Sequence, residues 1–90
     1  QHAEAHAQAD GSMPGMATAA QLDELRAATG VEAERIFLRL MIAHHEGGVA
    51  MANAAVADAR TTEVRTLAAA VAAAQTSEIA LLQGMLDARS

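Results

Sequence analysis

The apolar positions of this chain recur with helical spacing in three separate blocks. In the first block, Leu22 and Leu25 lie on one face of a short segment. Thr18 and Gln21, at its start, have the spacing of a capping box. Gly30 is well placed to end this segment, because glycine is common just past a helix C-terminus. The pattern therefore predicts a short first helix from residue 18 to about residue 28.

Two much longer helical patterns follow. The first runs from about residue 32 to residue 59, and the second runs from the Thr61–Thr62 pair to about residue 88. Either threonine can cap the later helix, and Glu63 then lies in its first turn, where the helix dipole favours a carboxylate. Each helix approaches about 27 residues, or roughly 40 Å. The short connection predicts that the two helices pack as antiparallel neighbours.

The polar and glycine-rich start of the chain differs from the helical part. Residues 1–17 read as a flexible tail that ends in a Met-Pro-Gly-Met loop at Met13 to Met16, and residues 18–90 read as a helical hairpin domain. The predicted fold class is all-α, with one short helix and one long antiparallel hairpin. Two such hairpins would make a four-helix bundle, but this chain supplies one.

Composition bears on stability and on the number of chains. The chain is 52% hydrophobic but only 1% aromatic, and much of the apolar content is alanine, which favours helices but buries little surface. A 90-residue domain of this kind is expected to be only marginally stable by itself. We therefore expect a homodimer that completes a four-helix bundle.

Charge and cysteine content exclude several classes of protein. The formal net charge is −5, without a basic run, so we expect no nucleic-acid binding and no attraction to anionic lipid. The longest apolar run, residues 36–42, is too short to cross a membrane. The chain has no cysteine, which excludes disulfides and zinc–thiolate sites and suits a metal protein outside the cytoplasm.

One face of the second helix combines apolar and metal-ligating residue types. At 100° per residue, Met41, His44, His45 and Met51 fall within about 120° of one another, together with Phe37. We therefore predict that these side chains point inward, away from water. Two glycines in this helix, Gly47 and Gly48, each cost about 1 kcal/mol relative to alanine, which indicates that a backbone or a ligand comes close there.

The third helix has polar residues inside its apolar stripe. Gln75 and Glu78 lie within about 40° of Val71 on this helix, and Met85 continues the stripe. A carboxylate in an apolar stripe is expected to be paired, protonated or bound to a metal. Closing the hairpin at residues 59–62 places Glu78 opposite the region of His44 to Glu46.

These residue types favour a soft metal. Imidazole binds copper, zinc, nickel or iron, whereas thioether sulfur favours copper(I). The candidate ligands indicate copper(I), with silver(I) as its mimic and zinc(II) as an alternative, and Glu78 could also fix the tautomer of a ligating histidine. Met13 and Met16 could bring two further thioethers together. The candidate metal-site residues are Met13, Met16, Met41, His44, His45, Met51, Gln75, Glu78 and Met85.

Each of these features also has a structural explanation. The three helical methionines could fill gaps in a core, and the histidines and Glu78 could form an internal polar network. The hypotheses are thus an extracytoplasmic copper(I)-binding protein without enzymatic activity, a helical bundle that is structural or binds a protein partner, and a di-metal enzyme. The last normally needs Glu-x-x-His pairs on two helices, and the hairpin contains none.

The segment Phe-Leu-x-x-Met-Ile-x-His-His-x-x-x-x-x-Met-Ala, from Phe37 to Ala52, resembles the family called domain of unknown function 305. The loop at residues 13–16 and the run Gln75-x-x-Glu78-Ile79 are similar to the same family pattern. Glu34 and Gly48 depart from it, since the family usually has Asp and Ala there. The resemblance implies a ferritin-like helical bundle, often exported by bacteria as a secreted or periplasmic protein, with links to copper or silver tolerance. It also implies that a copper-handling protein is a candidate partner.

Overall fold

The computed structural model describes residues 15–90, and these residues form three α-helices. Helix α1 is Ala19–Ala27, α2 is Gly30–Asp58 and α3 is Thr62–Asp87. Within residues 15–90 there is no β-strand. The all-α prediction is therefore confirmed, and both long helices lie within two residues of their predicted ends.

The predicted helix starts are confirmed by their caps. The Gln21 backbone N–H donates to Thr18 Oγ1 at 3.1 Å, and the Thr18 N–H donates to Gln21 Oε1 at 2.9 Å, which completes the capping box. Thr61 is the N-cap of α3, since its hydroxyl oxygen accepts a hydrogen bond from the Val64 N–H at 3.2 Å. Local sequence therefore determines where these helices begin.

The prediction that Gly30 ends the first helix is wrong, because Gly30 begins the second one. Helix α1 ends at Ala27, and Ala28 and Thr29 are both extended. Gly30 then adopts φ +60° and begins α2. The extended pair, with ψ values of 157° and 164°, ends α1 earlier than the glycine does. Gly30 instead supplies the left-handed backbone conformation that turns the chain into the next helix.

Helices α2 and α3 pack as an antiparallel hairpin. Helix α1 packs mainly against α2, through a much smaller contact. The molecule measures 45 × 29 × 15 Å, so its shortest dimension is close to one helix diameter of about 10–12 Å. Within residues 15–90, the buried hydrophobic residues are few, and they are Ile36, Leu38, Ala52 and Ala68. The hairpin is thus essentially one layer of helices.

The far end of the hairpin is joined by polar contacts. Arg89 Nε donates to Glu34 Oε1 at 2.9 Å, and Arg35 Nη1 donates to the Arg89 carbonyl at 3.4 Å. These contacts fix the end of α3 against the start of α2. None of the described helices has a stretch long and apolar enough to span a bilayer.

Candidate metal centre

His45 is fixed between the two long helices. Its Nδ1 lies 2.8 Å from the Met41 carbonyl oxygen, one turn earlier in α2. Its Nε2 lies 2.6 Å from Glu78 Oε1 on α3. The side chain is only 13% exposed, whereas that of Glu78 is 58% exposed. The predicted proximity of a histidine and Glu78 is confirmed, and His45 is the histidine concerned.

The two hydrogen bonds of His45 engage both of its ring nitrogens. A carbonyl oxygen can only accept, so Nδ1 carries a hydrogen and donates it to Met41. Nε2 and Glu78 Oε1, 2.6 Å apart, are joined by a second hydrogen bond. In this arrangement neither ring nitrogen offers a free lone pair. A metal ion can bind at Nε2 only if it displaces the hydrogen bond to Glu78, whose side chain is largely exposed.

His44 is in a different environment although it directly precedes His45 in the sequence. A step of about 100° around the helix turns its side chain away from α3, and His44 is exposed. The two imidazole rings are 6.2 Å apart between centroids, at an angle of 68°. Of the two histidines in residues 15–90, His44 is thus the one that an incoming ion can reach directly.

The two methionines of this helix flank His44. Met41 is half-buried and lines a cleft of about 360 Å³ together with Phe37, His45 and Glu78. Met51 is 50% exposed. A spacing of three residues makes Met41 and His44 neighbours on the helix surface, at about 5–6 Å between Cβ atoms. Met51 is seven residues from His44, or about 10.5 Å along the axis.

The prediction that all four side chains point inward is wrong for His44 and Met51. A hairpin has two helices, so α3 covers only the side of α2 that carries His45, Leu38 and Ala52. The neighbouring side, with His44 and Met51, has no helix of residues 15–90 over it. Apolar patterning correctly identifies the face but does not show what covers it.

The expected close approach of a backbone is confirmed at Gly47, whereas at Gly48 the neighbour is a side chain and not a backbone or a ligand. The Gly15 backbone lies against the Ala43 carbonyl oxygen and against Gly47, whose Cα is 3.1 Å from where a Gly15 Cβ would be. A Cβ on Gly48 would collide with the side-chain amide of Gln75. The loop before α1 therefore crosses α2 at Gly47, and Gln75 fills the space beside Gly48.

The other candidate residues lie apart from this cluster. Met16, half exposed, lines a separate cleft with Arg39, Leu40 and Ala43. Met85 lies beside Phe37 and Leu25 at the far end of the hairpin, seven residues or about 10 Å beyond Glu78. Met13 falls outside the described residues.

The sequence reasoning missed Leu81, which lines the same cleft as Met41 and Glu78 and is 64% exposed. Its spacing of three residues from Glu78 could have identified it, because such residues share a helix side. Within residues 15–90, no three His, Asp or Glu side chains come close enough to hold a metal ion. The described residues can instead offer a metal the thioethers of Met41 and Met51 and the imidazoles of His44 and His45.

Comparison with known proteins identifies the family. No functionally curated protein matches the chain. A crystal structure described as "putative secreted protein DUF305 from Streptomyces coelicolor" is 39% identical, with a TM-score of 0.79, over 84% of this chain and 47% of that one. This chain thus spans about half the length of that protein. The family match covers residues 1–86, and the chain belongs to the family of domain of unknown function 305, DUF305.

Proposed function

We propose that this chain binds copper(I), with silver(I) as a mimic, and that it sequesters the ion or passes it to another protein. The observation that carries this proposal is the side of α2 on which Met41, His44 and Met51 lie beside the fixed His45–Glu78 pair. Thioether and neutral imidazole donors without thiolate or a carboxylate cluster favour a soft, singly charged ion.

Within this site, the two histidines have separate roles. His44 and the thioethers of Met41 and Met51 are the primary ligands, because an incoming ion can reach them. His45 positions the face, since its contact with Glu78 fixes the register of α2 against α3, while its contact with the Met41 carbonyl within α2 holds the ring. His45 becomes a ligand only when the ion displaces its hydrogen bond with Glu78. Zinc(II) binds more weakly in this proposal, because it gains little from thioether sulfur.

The chemistry fits a protein that works outside the cytoplasm. The similar Streptomyces coelicolor protein is described as a "putative secreted protein", and thioether ligands are not lost to disulfide formation in an oxidising compartment. We propose a secreted or periplasmic location and a role in metal homeostasis without enzymatic turnover.

A competitive titration tests the proposal. Silver(I) or copper(I) is added to the purified chain in the presence of a chelator of known affinity. Met51→Leu and His44→Ala are expected to weaken binding by at least about tenfold, in line with the loss of one ligand. Met85→Leu is the matched control, since Met85 is also exposed but lies at the far end of the hairpin. Equal affinity in all four proteins would refute the proposal.

A helical interaction module without metal is the second candidate. It is favoured by the fact that both ring nitrogens of His45 already have partners within the chain. This alternative predicts a melting temperature that copper(I), silver(I) and zinc(II) all leave unchanged, whereas a bound ion raises it by mass action.

A further inference from the structure

The side of the hairpin that carries His44 is an open apolar face. It continues from α2 onto α3 and includes large side chains that are about 40–65% exposed. Those that define it are Phe37, Met51, Val64, Leu67, Leu81 and Met85. Two clefts lie in the middle of this face: one is lined by Met41 and Glu78, and the other by Met51, Val64 and Leu67. Glu78 is the one acidic side chain that lines either cleft, and it is paired with His45. We call this surface the open face.

The dimensions of the open face fit a second layer of helices. Two helices about 39 Å long, with axes 8–10 Å apart, present roughly 700 Å². Two such faces together bury about 1,400 Å², which lies within the range of stable protein interfaces. Domains normally pack at least two layers around one core, and this molecule is one layer with few buried side chains.

We propose that a second copy of this chain covers the open face, and that each metal site is shared between the copies. His44 and Met41 come from one copy and Met51 from the other. The two copies are related by a two-fold axis that lies in the interface, perpendicular to the helices, and passes at Gly48. The shared site rests on the proposed function, whereas the dimer itself does not.

The position of the axis follows from the hairpin. Gly48 lies against Gln75, and Gln75 is at the middle of α3, which runs from Thr62 to Asp87. An axis at this level gives the largest overlap of two open faces. The closed dimer is then isologous, with the same patch on both copies.

This axis brings His44 and Met51 together. Seven residues turn a helix by about 700°, within about 20° of two full turns, so both side chains lie on one line of α2. Within one chain they are about 10.5 Å apart along the axis. His44 is four residues before Gly48 and Met51 three residues after it. The two-fold rotation therefore places Met51 of one copy within about 1.5 Å of the level of His44 of the other.

The other symmetric arrangement does not produce this pairing. An axis parallel to the helices would lay α2 over α3 of the second copy and keep each residue at its own level. His44 would then face the region of Glu78 and Ile79, since His45 is level with Glu78. That geometry gives no imidazole–thioether pair across the interface.

Mixing two defective variants tests the shared site. Purified His44→Ala and Met51→Leu proteins are each expected to lose tight silver(I) binding. Unfolding and refolding them together in equal amounts makes half of the dimers mixed, and each mixed dimer has one intact site. Tight sites should then return to about one quarter of the wild-type number. A site made within one chain would return none, and that result would overturn the proposal.

The dimer is tested without metal. Light scattering at micromolar concentration should give twice the chain mass, and Leu81→Glu should give a monomer with unchanged helix content by circular dichroism. A monomeric wild-type chain overturns the inference whether or not silver(I) binds. A dimer that binds no silver(I) instead refutes the proposed function, and with it the sharing of a site.

Cross-linking tests the axis independently of metal. The chain has no cysteine, so a single introduced cysteine can form a disulfide only between copies. Gly48→Cys, combined with Gln75→Ala to remove the adjacent amide, should oxidise readily to a covalent dimer. Ala50→Cys, which is exposed on another side of α2, is the matched control. Equal oxidation of both variants would contradict an axis at Gly48.

Discussion

Two sides of helix α2 show how adjacent residues take different roles. On the side facing α3, His45 has both ring nitrogens in hydrogen bonds and Leu38 is 3% exposed. On the neighbouring side, His44 and Met51 are exposed among apolar residues. The first side fixes the register of the hairpin, and the second keeps soft donor atoms accessible. Stability and binding are therefore expected to respond to different substitutions.

The largest expected effect comes from the covered side. Leu38→Ala should cost about 2–5 kcal/mol of unfolding free energy, because it leaves a cavity in a core with few members. Leu81→Ala on the open face is the comparison. Its cost should disappear on dilution, since Leu81 becomes buried only in the dimer. Urea unfolding at two protein concentrations measures both. A concentration-independent loss of similar size in both variants would remove the distinction between the two sides.

The loop that crosses α2 gives the next largest effect. Gly15→Ala should destabilise the chain by about 1–3 kcal/mol, because Gly15 has φ +83° and a Cβ would collide with the Ala43 carbonyl. Gly84→Ala is the matched control. Nothing lies within 4 Å of a Cβ there, so helix propensity should stabilise α3 by about 0.4–1 kcal/mol. Thermal unfolding should show shifts of opposite sign, and a neutral Gly15→Ala would show that the loop does not need this contact.

The architecture was largely predictable because local signals determine it. The capping box at Thr18 and the cap at Thr61 act within four residues, and a short connection leaves antiparallel packing as the simple outcome. The register of Glu78 with His45 followed from counting out from the turn. Gly30 was misread because glycine serves both helix ends and turns, and sequence alone did not reveal the extended Ala28–Thr29 link before it.

The candidate site was less predictable. Periodicity places His44, His45, Met41 and Met51 on one broad face, but an arc of about 120° is wide enough to meet two environments. Which histidine is buried depends on the angle at which α3 packs, and that angle is a tertiary property. The sequence showed that Gly47 destabilises the helix and therefore indicated that something lies close to it. Its partner, Gly15, is more than 30 residues away in the chain and could not be named from spacing.

Replacing either histidine by alanine should affect the unfolding free energy and the silver(I) affinity in opposite orders. His45→Ala should cost about 1 kcal/mol, because it removes two hydrogen bonds, one of them with a partly exposed carboxylate. His44→Ala should change the unfolding free energy by less than about 0.5 kcal/mol, as expected for an exposed position. Silver(I) affinity should respond in the opposite order. If His44→Ala proved the more destabilising of the two in metal-free protein, His44 would have a structural role that the exposed position does not explain.

Gly48→Ala gives the smallest effect and separates the hairpin from the dimer. Alanine gains about 1 kcal/mol in helix propensity, but its Cβ must displace the Gln75 amide. That amide ends a flexible side chain, so the two effects should nearly cancel, within about 0.5 kcal/mol at a dilution where the chain is monomeric. Adding Gln75→Ala removes the obstacle, and the double variant should recover most of the propensity gain. The dimer should respond differently, because the displaced Gln75 amide moves toward the open face near the two-fold axis and separates the two α2 helices. A weaker dimer with an unchanged monomer, measured by analytical ultracentrifugation and urea unfolding, is the expected result, and a strengthened dimer would place the axis elsewhere on the open face.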